Sequence, residues 1–188
     1  MKSPWLWYIS RADGVITLIL LTVTAVLGML TSSRWHPQSS VSAIAMGTHR
    51  TLALGTTVFL AVHILTAVLD TYVHLGWLST FVPFTAGYER VWVGLGTTAC
   101  DLFVAIIVTS LLRHRLSTPV WRAVHWSSYA MAPIAVTHAL MMASSGEPAL
   151  SAVTVACGGV FAAAAVWRCA RGLADRHRRR CFAAREWS

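Results

Sequence analysis

Histidine is the residue type with the most chemistry to offer in this chain, and four of its eight histidines fall inside long apolar stretches. His49 and His63 are fourteen residues apart, and His125 and His138 thirteen. An imidazole in a lipid-spanning segment is uncommon and marks a functional site by default. Neutral imidazole is also a good ligand for iron, copper or zinc. At 1.5 Å per residue, either spacing separates the two rings by about 20 Å along a helix. The members of one pair therefore serve different sites, and each needs a partner from another segment.

The elements that must carry these residues are membrane helices. The chain of 188 residues is 56% hydrophobic and 12% charged, with a mean hydropathy of +0.60, where a soluble domain has about 25% charged residues. The pattern predicts an all-α, polytopic membrane helical bundle forming a single domain over 1–188. Five transmembrane helices are expected at about 14–31, 43–69, 91–112, 120–143 and 149–167, followed by a basic tail over 168–188. The first apolar run is long and is not followed by a small-residue cleavage site, so it reads as a retained helix and not a signal peptide. Placing the tail inside puts twelve of the fifteen Lys and Arg inside and three (Lys2, Arg11 and Arg90) outside. This sets the N-terminus out and the C-terminus in, and makes 168–188 a cytoplasmic tail in contact with anionic lipid.

The net charge of +8 does not point to nucleic acid, because the basic residues cluster at the ends of apolar runs and in the tail. The chain has no glycine-rich phosphate loop or dinucleotide fingerprint. Its four cysteines (Cys100, Cys157, Cys169 and Cys181) show no zinc or iron–sulfur spacing.

In this topology the second and fourth helices run parallel. His49 and His125 then share an inner level, and His63 and His138 an outer one. Each level offers two imidazoles and no further cysteine or carboxylate, which suits two bis-histidine haems and not zinc or copper. The bland alternative is four polar residues satisfied by neighbouring helices. A thirteen-residue spacing also carries a structural demand. On a straight helix it misses the starting face by about 140°, so the fourth helix must be bent or re-pitched, with Pro133 as the expected cause.

These residues resemble the ferric reductase-like transmembrane domain family, the haem-bearing membrane part of ferric reductases and NADPH oxidases. The likeness rests on His49-Arg50 followed by His63, on Thr109-Ser110-Leu-Leu-Arg113, and on Trp121-Arg122 with His125, Tyr129 and His138. It covers roughly residues 11 to 143 and is closest to short, stand-alone bacterial members. The resemblance implies a multi-pass protein of the bacterial cytoplasmic membrane that moves single electrons through two b-type haems. His49 and His125 would ligate the inner iron, His63 and His138 the outer. The FAD- and NADPH-binding domain of the larger relatives is missing. FAD or FMN would then sit only on a separate flavin-containing electron-transfer protein. Two rivals remain: a cytochrome b subunit of a quinone-linked oxidoreductase, and a non-redox membrane scaffold or accessory subunit.

Supporting residues follow from the same chemistry. Haem propionates need cationic neighbours, which Arg50 and Arg122 can supply on the inner side and Arg90 on the outer. Snorkelling to headgroups is the equal alternative. Trp126 and Tyr129 are candidates to stack on a haem or to pack as ordinary aromatics. Asp101, mid-span, is either protonated or paired, with Thr97 and Thr98 one turn away as hydrogen-bond partners. His36, His74, His114 and His177 fall in loops or at helix ends. His74 is of interest because it lies on the outer side.

Overall fold

The computed structural model describes residues 5–32, 39–70, 73, 75–143 and 147–185. Its helices are α1 (Trp5–Ser32), α2 (Ser39–Leu69), α3 (Arg90–Leu111), α4 (Thr118–Trp126), α5 (Ser128–Met142) and α6 (Pro148–Arg185), with a 3-10 turn at Trp77–Thr80. No strand occurs among the described residues. Four helices (α1, α2, α3 and α6) are long and apolar enough to cross a membrane. Large apolar side chains stand exposed along them, including Leu54 and Val58 on α2, Val104 and Val108 on α3, and Val155 and Val166 on α6. An exposed apolar surface of this extent fits lipid, not water. Threonines inside the helices bond their hydroxyls back one turn, as Thr56 does to the Leu52 carbonyl at 2.8 Å and Thr154 to Leu150 at 2.9 Å. That satisfies the hydroxyl without a solvent partner.

The segment expected as one span at 120–143 is two helices, of nine and fifteen residues. The interruption falls at Ser127, six residues before Pro133. Ser127 closes α4 by bonding its N–H and its hydroxyl to the Val124 carbonyl, at 3.0 and 2.7 Å. Its own carbonyl then accepts from Ala130 and Met131 and starts α5. Pro133 lies inside α5 without ending it. The expected distortion is therefore present, but it is centred on Ser127. At the other end, α6 does not stop near Trp167. It continues as helix to Arg185, so most of the region expected as a tail is a helical extension.

α1 packs along α2, α3 along α5, and α6 covers both α1 and α5. Leu21, Ala99, Phe103, Ile106 and Met131 bring α1, α3 and α5 together in one buried cluster. Met29, Ala132 and Phe161 join α1, α5 and α6 in a second. Arg11 fastens α1 to the end of α5 and to Glu147 at the start of α6. Its guanidinium pairs with Glu147, donates to the Met142 carbonyl and lies over the Trp7 ring. Among the described residues, α2 and the α4–α5 arm share no packed backbone interface. The two histidine-bearing arms thus face each other across an interior space.

Candidate functional site

Three of the four membrane histidines are held in one repeated way. His63 donates Nδ1–H to the Ser10 carbonyl at 2.7 Å, His49 to Thr24 at 2.9 Å, and His138 to Trp92 at 2.8 Å. A carbonyl only accepts, so each of these imidazoles carries its proton on Nδ1 and leaves Nε2 bare. Each acceptor lies four residues before a glycine: Ser10 before Gly14, Thr24 before Gly28, Trp92 before Gly96. In a helix that carbonyl already receives the glycine N–H, and its second lone pair takes the imidazole.

The glycine gives the ring room to arrive. A Cβ on Gly96 would stand 2.7 Å from His138 Cε1, one on Gly14 3.0 Å from His63 Cε1, and one on Gly28 3.2 Å from His49 Cε1. Gly14 and Gly28 are fourteen residues apart on α1, the same interval as His49 and His63 on α2. Antiparallel packing brings the two sets into register.

His63 and His138 face each other with ring centroids 6.5 Å apart and planes inclined by 76°. Two metal–imidazole bonds of about 2.0–2.1 Å to one atom place the ring centres roughly 6–6.5 Å apart. Both rings line a mainly apolar pocket of about 280 Å³. It is lined by residues of α1, α2, α3, α5 and α6, among them Leu18, Leu60, Phe103 and Ala135. The second level is less symmetrical. Among the described residues no ring contact or hydrogen bond joins His49 to His125, and His125 Nδ1 is buried with no hydrogen-bond partner. Fourteen residues beyond Gly96, where a fourth glycine would stand, α3 has Ser110. The carbonyl four residues before it, Ile106, accepts the Thr109 hydroxyl at 3.2 Å. In place of a carbonyl, His125 has an aromatic support. Trp121 stacks on it at 4.9 Å and 23°, and Arg113 lies 4.1 Å over Trp121.

Other expected site residues are placed differently. Trp126 is exposed, and Tyr129 leans on Phe161 of α6, so the aromatic on His125 is Trp121. Arg50, Arg90 and Arg122 are all exposed. Arg90 is not on the cavity wall, and the cation there is Arg11. Thr97 and Thr98 bond to the Ser79 and Gly94 carbonyls, not to Asp101, which is exposed on α3. Sequence reasoning did not single out Asp13, which is buried beside Gly14, close enough for its charge to act on His63, with Oδ2 unpartnered. His114 is exposed and accepts from Arg115 at 3.3 Å. His36 and His74 lie outside the described residues, as does the side chain of His177. The glycine seats were also missed, although the fourteen-residue interval shared by Gly14–Gly28 and His49–His63 is visible in the sequence.

Compared with protein families, curated proteins and solved structures, the chain matches none of them.

Proposed function

We propose that this chain is a membrane electron-transfer subunit of the ferric reductase-like kind, passing single electrons across the bilayer with two b-type haems. The observation that carries the reading is the shared setting of His49, His63 and His138. A metal-ligating histidine almost always donates its other ring N–H to a carbonyl or carboxylate, which fixes its tautomer and raises its basicity. These three do so with Nε2 left bare, and two of them line one mainly apolar pocket with their rings at the spacing of a shared metal. Among the described residues no three His, Cys, Asp or Glu side chains come together as a metal cluster. A pair of imidazoles suits a macrocycle that brings its own four nitrogens.

In this proposal His63 and His138 hold the outer haem, and His49 and His125 the inner. Haem bound there supplies reversible one-electron iron chemistry. The chain's own residues would supply imidazole nitrogen, a mainly apolar wall, and levels about 20 Å apart along α2. The α4–α5 arm counts as the fifth crossing, broken at Ser127. With it the N-terminus is outside and the Arg-rich end of α6 inside, as the positive-inside rule favours. The electron partner on the inner side is a flavoprotein carrying FAD or FMN, and the setting is the bacterial cytoplasmic membrane.

A visible spectrum of the purified protein tests the reading. A Soret band that sharpens on dithionite reduction is expected, with about half the haem lost in His138→Ala if the two sites are independent. Absence of the band refutes the proposal. Full haem retention in both His138→Ala and His63→Ala refutes the outer pairing.

A further inference from the structure

Asp101 sits eleven residues from the start of α3 and ten from its end. At 1.5 Å per residue it is about 15 Å from either end of the helix, at the middle of the span. Acidic side chains at that depth almost always face a bundle interior and a partner. Asp101 does neither. It is exposed on the outer surface of the bundle, and none of the described hydrogen bonds or ion pairs involves it.

The surrounding surface has a defined edge. Towards the start of α3 the same face is covered: Gly94 lies under Phe84, and Thr97 is bonded to the Ser79 carbonyl at 2.7 Å. From Asp101 onward the cover ends, and Val104, Ala105 and Val108 continue the face in the open. A small residue one turn from a polar one is the composition of a membrane helix–helix contact, where close approach and one interhelical hydrogen bond replace the hydrophobic drive.

We infer that the Asp101 face of α3 docks a transmembrane helix of a second protein that carries an arginine or lysine at mid-membrane. The charge decides the occupant. At that depth the carboxyl group stays ionised only beside a cation or a strong donor, and lipid tails offer neither. A second copy of this chain does not supply one. In a two-fold pair the same patch meets itself, which would bring two Asp101 side chains together with no cation between them. The described arginines of the other elements lie in connections or near the limits of the apolar runs, Arg113 after α3, Arg122 in the short α4, and Arg168 twenty residues into α6 where its apolar run gives way to basic sequence. This inference is independent of the haem reading.

The test uses the full chain, labelled with a fluorescent donor and reconstituted in phosphatidylcholine–phosphatidylglycerol vesicles. The acceptor is carried by a synthetic Leu/Ala transmembrane helix with one central arginine. Saturable energy transfer is expected. It should weaken roughly three- to thirtyfold with Asp101→Leu, or when the helix carries leucine in place of arginine. Ala105→Phe, which blocks the same face without touching the charge, should weaken it as well. Three results overturn the inference: no transfer to the arginine helix, transfer that ignores Asp101→Leu, or single-molecule photobleaching showing that Asp101 instead drives self-association of the chain.

Discussion

Substituting Gly96 by alanine should dislodge His138 and release the haem proposed for the outer level, although the same change stabilises an ordinary helix. Alanine is favoured over glycine by about 0.8–1.0 kcal/mol in a helix interior, so propensity alone predicts a gain. Contact predicts the opposite. The new Cβ would stand 2.7 Å from His138 Cε1 and 2.8 Å from Nδ1, whereas ordinary contact begins near 3.4 Å. The ring must retreat by about 0.7 Å to reach normal van der Waals separation. The 2.8 Å bond from Nδ1 to the Trp92 carbonyl would then stretch to about 3.5 Å, beyond hydrogen-bonding distance. Losing such a supporting bond typically costs 10–100-fold in metal affinity, by order of magnitude. The assay is haem per protein by pyridine haemochrome, measured with the melting temperature. The series Gly96, Gly14, Gly28 should show decreasing loss on substitution by alanine, following Cβ distances of 2.7, 3.0 and 3.2 Å. Gly47 is the control, since nothing lies within 4 Å of its Cβ position. Full haem content in Gly96→Ala, or an equal loss in Gly47→Ala, would refute the seat argument.

The remaining predictions concern the second level and the cap over α3. Because His125 Nδ1 lacks a carbonyl partner, the haem proposed for the inner level should leave first when haem is drawn off by excess apomyoglobin, at about one-tenth to one-hundredth of the outer affinity. A single common rate of loss would contradict this. Gly94→Ala should push Phe84 off α3, since the added Cβ collides with its ring. Phe84 already holds a left-handed backbone with φ 64°, a conformation costly for an aromatic residue. A loss of about 1–3 kcal/mol by thermal denaturation in detergent is expected, despite the better helix propensity. Unchanged stability would show that the segment carrying Phe84 is not packed on α3.

The sequence by itself determined the class of the protein, because a lipid-spanning helix writes its length and apolarity into consecutive residues. It also determined that α2 can present His49 and His63 on nearly one face, since fourteen residues return close to the starting direction. With His125 and His138 read as facing one partner helix, the thirteen-residue interval also called for a break between them. Where the break falls was not legible. Pro133 is the obvious breaker, yet the chain yields at Ser127, whose hydroxyl and N–H both return to Val124. Nor was the depth of α6 legible, because an Arg-rich sequence propagates a helix as readily as it forms a polar tail. Only tertiary structure decided what holds the imidazoles. Ser10, Thr24 and Trp92 act through backbone carbonyls, which leave no mark on residue type. Gly14, Gly28 and Gly96 act by what they lack, and that matters only where an antiparallel neighbour brings a ring against them. Tertiary structure likewise turned Asp101 outward, because a helix face is assigned by the elements packed on it and this face of α3 is covered only as far as Thr97.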